Sequence, residues 1–310
     1  MSHAISVGIV GLGKASWLHD IANPGLTITH CKSINAVDRY KIAFGIDSDL
    51  SRRIEWGNEF GSPSFESIFK AAHIQPDFIS IATPIETLFE CLVEALSTFP
   101  ESRILIEKPV CNTFRQLDQL ELIGKDNLKR VVVNYPRLFQ PETHEIRRIL
   151  DPYIATGGPI RISGDYSGGT LNTMGHFMSL LEYFFGRLSY KSSGFTLDSL
   201  GRSMADLNIS SGSNIDVSGV ICANSGTELS SANLQIETNG LLIQYLDGGK
   251  SISAVTPNLV LEIPSTRDTY QYQVYKYLSE NDWGLAVEKS GLYGQLPIIR
   301  SLLNLVKVGD

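Results

Sequence analysis

The sequence predicts an α/β protein in two parts: an N-terminal doubly wound parallel sheet, then a C-terminal α+β domain with a large, mainly antiparallel open sheet. Three observations carry that prediction. Before residue 136, short runs apolar on both faces alternate with helical stretches, the pattern of strands buried between two helical layers. After it, strand follows strand, with Asn239-Gly240 and Asp247-Gly248-Gly249 as the clearest hairpin signals. The chain has 310 residues, room for two domains, expected at 1–136 and 137–310.

In the first part the expected strands are Ile5 to Val10, Tyr40 to Ile46, Phe78 to Ala82, Ile104 to Ile106 and Val131 to Asn134. Helical stretches are expected over Phe65 to Ala72, Leu88 to Ser97 and Thr113 to Ile123. Right-handed crossovers then set the carboxyl ends of the strands along one edge, where open α/β sheets bind ligands. Pro136, Pro141 and Pro152 break the alternation. A helix is expected from Glu142 to Leu150, and Gly157-Gly158-Pro159 leads into a strand over Ile160 to Ser163. Asn208 to Ile263 reads as successive strands. A last helix is expected to open on Pro297 at its first position and to bury Ile298, Ile299, Leu302, Leu303, Leu305 and Val306.

Apolar residues make up 43% and charged residues 19%, a globular composition that excludes disorder as the main theme. The net charge of −7 leaves no basic field for a phosphate backbone or an anionic bilayer, so neither nucleic acid nor membrane is expected as a partner. Cys31, Cys91, Cys111 and Cys222 lie far apart, with no C-x-x-C and no Cys/His cluster at metal-ligand spacing. No metal site and no redox dithiol is expected. The N-terminus, MSHAISVGIVGLG, has no basic region ahead of a long apolar stretch, and no window is long enough to span a membrane. A cytoplasmic protein with reduced thiols is expected.

Directly after the first strand the chain reads Gly11-Leu12-Gly13-Lys14-Ala15-Ser16. Gly11 permits a tight turn, and Gly13 lets the backbone approach a pyrophosphate seated on the N–H groups of the next helix. Ser16 stands at the third-glycine position of the dinucleotide pattern G-x-G-x-x-G and is small enough for strand–helix packing. Asp47 follows the second strand, where a carboxylate accepts from the adenosine ribose hydroxyls. Its charge would repel a 2′-phosphate, so NAD is preferred, although Arg52 and Arg53 could neutralise one and keep NADP open. Asn23-Pro24-Gly25 accounts for the long separation of Asp47 from Gly11, as a loop interrupting the first crossover helix. Thr83-Pro84, after the third strand, fits a loop under the nicotinamide half of the cofactor.

Taken together, VGIVGLG followed by His19, the strand ending in Asp47, ISIATP, ILIEKPV, NYPRLFQP and GGTLNTMGHFMSLLEYFFG resemble the glucose-fructose oxidoreductase / inositol dehydrogenase / MocA (Gfo/Idh/MocA) family of NAD(P)-dependent oxidoreductases. The likeness reaches about as far as Gly186. It implies a Rossmann domain that holds the cofactor through Gly11, Gly13, Lys14, Ala15, Ser16, Asp47, Thr83, Pro84, Glu107 and Lys108. Lys108 matches the lysine of the family's E-K-P motif, near the nicotinamide and the substrate hydroxyl. Pro109 stops the strand and delivers Lys108 to the sheet's carboxyl edge; the resemblance implies that the bond before Pro109 can be cis. His176 matches the family's helix-borne acid/base, a role that suits histidine because it can take and return a proton.

Asn172, His176 and Ser179 fall at i, i+4 and i+7, on one face of a regular helix, and are read as lining the substrate pocket. Here the chain departs from the family. Asn172 replaces the usual aspartate, Ser179 a second aspartate, and Leu88 a histidine. Arg137 matches a common family arginine, able to meet an anionic substrate group or to serve in a structural ion pair. The resemblance implies a dehydrogenase or reductase acting on a CH–OH group of a sugar, cyclitol or nucleotide-linked sugar. The alternative is a cofactor-binding sensor or pseudoenzyme that regulates a protein partner, motivated by the lost Asp and His. One face of the C-terminal sheet is expected to lack a helical cover, and family members pair such faces, so a homodimer or homotetramer is expected.

Overall fold

The structure, a computed structural model, describes residues 4–197, 203–211, 215–224 and 232–306. The chain forms two compact units: Met1–Pro136 with Asp268–Leu296, and Arg137–Arg267 with Pro297–Asp310. It leaves the first unit at Pro136, returns to it at Asp268 and crosses once more at Pro297. The return of Asp268–Leu296 was not visible in the linear reading.

The first unit is a Rossmann domain. Its strands are β1 (Ile5–Val10), β2 (Tyr40–Ile46), β3 (Ser64–Phe65), β4 (Phe78–Ile81), β5 (Arg103–Ile106) and β6 (Val131–Val133). They form one parallel sheet in the order β3-β2-β1-β4-β5-β6. The register fixes the edge that matters. Val10 is opposite both Ile46 and Ile81, Ile81 is opposite Ile106, and Ile106 is opposite Val133. The next residue of each strand, Gly11, Asp47, Ala82, Glu107 and Asn134, therefore stands in one row along the carboxyl edge.

The connecting helices are α1 (His30–Asn35), α2 (Leu50–Phe60), α3 (Ile85–Thr98), α4 (Phe114–Ile123) and α5 (Lys125–Leu128). α2 was not singled out in the sequence because only Trp56 of its eleven residues is buried, so its apolar period is faint. Its ends are well marked: Asp49 accepts from the amides of Ser51 and Arg52, and Gly61 turns left-handed at φ +63°. The helix expected over Phe65 to Ala72 is absent. Phe65 is instead taken into β3 opposite Ile46, with its ring against Phe44, and only a 3-10 turn at Phe69–Ala71 remains. Cross-strand pairing has overridden an apolar run of ambiguous period.

The second unit carries α6 (Pro141–Ala155), β7 (Ile160–Tyr166), α7 (Gly175–Phe185) and strands β8 (Leu188–Leu197), β9 (Ser203–Ser211), β10 (Val217–Ala223), β11 (Ala232–Thr238), β12 (Leu241–Leu246), β13 (Ser251–Thr256) and β14 (Leu259–Glu262). Their sheet runs β14-β13-β12-β11-β7-β10-β9-β8, antiparallel throughout except for the parallel pair β7 and β10. Asn239-Gly240 is a two-residue hairpin between Thr238 and Leu241, with φ of +43° and +79°. Asp247, Gly248 and Gly249 all have positive φ and join β12 to β13. The strands begin at Leu188, earlier than the expected Asn208; positions 212–214 and 225–231 of the expected run lie outside the described residues. Pro152 lies inside α6 rather than breaking the chain.

The returning segment supplies α8 (Tyr270–Glu280) and α9 (Trp283–Ser290) to the first unit, and α10 (Leu292–Val306) follows. Within that unit the Ser290 hydroxyl donates to the Val133 carbonyl at 2.7 Å, tying the segment to β6. Pro297 does not open α10 but lies inside it. The buried series Leu292, Leu296, Ile299 and Leu303 recurs at helical spacing through the proline, and its burial extends the helix one and a half turns upstream.

Candidate functional site

At the carboxyl edge of the Rossmann sheet, Gly11 adopts φ +87°, and a Cβ on it would lie 2.7 Å from the Ala82 carbonyl oxygen. Only glycine fits that crossing of β1 and β4. Gly13 is different: a Cβ there would meet nothing nearer than Arg52 Nη1 at 3.9 Å, so the backbone faces open space. Asp47 Oδ2 accepts the Leu12 amide at 2.8 Å, and its Oδ1 accepts the Asp49 amide at 2.9 Å. One carboxylate thus ties the glycine turn to the end of β2.

The helix expected after Gly13 is a five-residue π-helical turn, Lys14–Leu18, followed by a loop through Asn23-Pro24-Gly25 and the short α1. Side chains explain the wide turn. The Ser16 hydroxyl donates to the Gly11 carbonyl, and the Trp17 indole N–H donates to the Leu12 carbonyl at 3.0 Å. These bonds run back past the preceding turn and compete with a regular α ladder. Asp20 holds the loop closed, accepting from the amides of Ile28 and Thr29 and from the Thr29 hydroxyl. A pyrophosphate placed here would meet turn amides at Gly13 to Ser16, with one turn of helix dipole behind them rather than a full helix.

A cavity of about 340 Å³ opens at this edge, lined by Gly11, Asp47, Arg52, Thr83, Pro84 and their neighbours. Arg52 Nη1 is 3.7 Å from Asp47 Oδ2 and its Nε 3.8 Å from Asp49 Oδ2. Arg53 donates to the carbonyls of Asp47 and Ser48 at 2.7 and 3.0 Å. A 2′-phosphate beside Asp47 would find one guanidinium already shared by two carboxylates and the other capping backbone, which agrees with NAD.

Two strands further along the edge, the Glu107 amide donates to the Ile81 carbonyl at 2.9 Å, and the Lys108–Pro109 bond is cis. Glu107 is held by side chains the sequence reading did not assign: His30, Asn134 and, through them, Gln271 and Tyr275. Their only sequence signal was polarity inside apolar segments. Burial pushes the Glu107 carboxyl up, but the His30 hydrogen bond and charge, Lys108 and Asn134 outweigh it and hold the group below its ordinary value.

In the second unit, Asn172 lies in a π-helical turn, Thr170–Met174, ahead of α7, so the three expected positions do not share one regular helix. The Thr170 hydroxyl bonds the Tyr166 hydroxyl at 2.8 Å and the Ala205 amide at 3.1 Å, and Thr173 donates to the Ser167 carbonyl at 2.9 Å. Anchored to the sheet, this turn opens wider than an α-helix. Asn172 is exposed, His176 half-buried, and Ser179 buried with its hydroxyl donating to the His176 carbonyl at 3.1 Å. Arg137 donates from Nε to the Tyr245 hydroxyl at 3.0 Å, and its guanidinium lies 5.8 Å from the Phe177 and Tyr245 ring centroids. Leu88, at the position of the family's histidine, is buried.

Residues 5–135 match the model of an oxidoreductase family with an NAD-binding Rossmann fold, Gfo/Idh/MocA. This segment belongs to the Gfo/Idh/MocA family. The Gfo/Idh/MocA domain binds NAD, and the glycine turn, the open face at Gly13 and the placement of Asp47 fit that cofactor. Across the whole chain the fold is shared with solved structures. A UDP-N-acetylglucosamine 3-dehydrogenase from Acidithiobacillus ferrooxidans is 15% identical with a TM-score of 0.72, covering 99% of this chain and 98% of that one. An oxidoreductase from Agrobacterium radiobacter, in complex with NAD+, L-tartaric acid and magnesium, is 13% identical with a TM-score of 0.70, over 98% and 95%. A dehydrogenase from Chromobacterium violaceum is 15% identical with a TM-score of 0.75, over 99% and 95%. At such identities the likeness is one of fold. No curated protein matches the sequence. Among the described residues, no helix is long and apolar enough to cross a membrane, and no group of three His, Cys, Asp or Glu could hold a metal ion.

Proposed function

We propose that the protein is an NAD-dependent dehydrogenase or reductase acting on a secondary alcohol or ketone of a sugar, cyclitol or nucleotide-linked sugar. The observation that carries the reading is the bond from the Leu12 amide to Asp47, which sets a ribose-binding carboxylate against the glycine turn of a Gfo/Idh/MocA domain. Bound NAD supplies a hydride acceptor at nicotinamide C4. Lys108 donates a hydrogen bond to the substrate oxygen and polarises the carbon–oxygen bond. His176 takes the hydroxyl proton as the hydride leaves, and returns it in the reductive direction. Asn172, Ser179 and Arg137 are proposed as substrate contacts. The sugar class is supported by the shared fold of the A. ferrooxidans UDP-N-acetylglucosamine 3-dehydrogenase.

NADH formation against a panel of sugars, cyclitols and nucleotide sugars tests the proposal, with Lys108→Ala and His176→Ala each expected to lower kcat about 100-fold or more. Activity indifferent to both substitutions would sink it. Asn172 and Leu88 favour one other reading, a sensor that binds NAD without turnover and acts on a protein partner. Tight NAD binding with no turnover on the panel, together with a co-purifying protein, would support that reading instead.

We further propose that the eight-stranded sheet pairs with a second copy of the chain. Leu242, Val255 and Val260 lie opposite one another across β12, β13 and β14, on the face away from buried Ile243 and Ala254. Val260 is 59% exposed. An apolar row of this kind on an open sheet calls for a cover.

A further inference from the structure

His30, the first residue of α1, is 1% exposed. Its Nε2 lies 3.2 Å from Glu107 Oε1. Its Nδ1 lies 2.8 Å from the Tyr275 hydroxyl, 3.0 Å from the Ser80 hydroxyl and 3.4 Å from Gln271 Nε2. Asn134 Nδ2 donates to the same Glu107 oxygen at 2.5 Å and to Gln271 Oε1 at 2.9 Å. Four residues, from β4, the end of β5 and α8, thus converge on one imidazole, and Asn134 at the end of β6 braces two of them. The Tyr275 and Ser80 hydroxyls can each donate to Nδ1 or accept from it, so the Nε2–H to Glu107 contact survives a change of protonation on the ring.

Carboxylate, imidazole and hydroxyl in a row suggest a proton relay, but burial argues otherwise. Ser80 and Tyr275 are fully buried, within β4 and α8, so the row ends inside the core. It can hold a group in place and cannot pass protons to solvent. The group held is the Glu107 carboxylate, one residue before Lys108.

We propose that His30 is a positioning residue for the Glu107–Lys108 turn, fixing the Glu107 carboxylate from the buried side so that the turn keeps one conformation at the NAD-binding edge. The inference rests on the oxidoreductase reading above. The ionisable groups facing Glu107 are His30 from α1, Tyr275 from α8 and Lys108 on its own turn; Cys31 and Tyr40 stand behind Tyr275. Burial holds the Tyr275 phenol well above its ordinary value, so it stays a neutral hydroxyl. Of these groups only His30 and Lys108 stabilise the Glu107 anion by charge, and only His30 is also bonded to it.

The test combines a carboxyl ¹³C NMR titration of Glu107, assigned with Glu107→Gln, and NAD affinity across pH 5 to 8. In His30→Ala the Glu107 midpoint is expected to rise by about one pH unit, with NAD affinity falling about fivefold or more at the acid end. His30→Gln, whose amide can still donate but carries no charge, restores both in part. If the alanine variant does not fold, His30→Asn, whose amide is too short to reach Glu107, takes its place. A folded variant whose Glu107 midpoint does not move overturns the proposal, and so does a lower Tm with NAD affinity unchanged at every pH. Wild-type protein that binds no NAD overturns the cofactor reading itself, and this proposal with it.

Discussion

Asp47 Oδ2 accepts the Leu12 amide at 2.8 Å across 35 positions of sequence, joining the end of β2 to the glycine turn that follows β1. The bond shapes the turn, and in the proposed function the same carboxylate meets the ribose. Asp47→Ala removes both and strands a buried amide, a loss of about 1–3 kcal/mol, so NAD affinity is expected to fall about tenfold or more. Asp47→Asn keeps an acceptor for Leu12 but loses the charge. It is expected to retain the fold and to narrow the preference for NAD over NADP, read as the ratio of the two Kd values by calorimetry.

The two glycines of the turn should separate by stability. Gly11→Ala places a Cβ against the Ala82 carbonyl at positive φ and is expected to destabilise the fold by about 1–3 kcal/mol, seen as a lower Tm. Gly13 has an extended backbone, φ −96° and ψ −155°, with open space where its Cβ would go. Gly13→Ala should leave Tm nearly unchanged and weaken NAD binding, because the proposed site puts the pyrophosphate in that space. Equal NAD affinity for wild type and Gly13→Ala would count against this placement.

Lys289 gives a pH dependence of definite sign. Burial lowers its ammonium from 10.5 to about 8. Between those values the unfolded chain binds more protons at this site than the folded one, so the native state gains stability as pH rises through that window. The gain in Tm from pH 8 to 9.5 should be smaller in Lys289→Met than in wild type. Parallel Tm profiles for the two proteins would refute the assignment.

The apolar row across β12, β13 and β14 predicts an effect on mass. If the proposed pairing holds, Val260→Glu combined with Leu242→Glu should turn the paired protein into a monomer in light scattering, with the circular dichroism spectrum unchanged. A wild-type protein that is already monomeric at micromolar concentration excludes the pairing.

The strand ends and the cofactor turn were legible in the sequence because each rests on local chemistry. Ile5–Val10 and Tyr40–Ile46 are strands at the expected bounds, since runs apolar on both faces have few alternatives in an α/β chain. Gly11, Asn239-Gly240 and Gly248-Gly249 announced turns because positive φ restricts the residue types. The E-K-P sequence set Lys108 just past a strand because proline ends a ladder.

What the sequence by itself determined is therefore five of the six Rossmann strands, the glycine turn and the row of strand ends that carries Asp47 and Glu107. Only the tertiary structure decided the π-helical turns at Lys14–Leu18 and Thr170–Met174, the fate of Phe65, the helix that runs through Pro297 and the cluster around His30. The reason is common to all of them. Each depends on a partner that local periodicity does not encode: the Ala205 amide for Thr170, Ile46 for Phe65, Leu292 and Leu296 for the start of α10, and, for His30, a tyrosine 245 positions away whose helix rejoins the first unit only after the chain has run through residues 137–267 of the second.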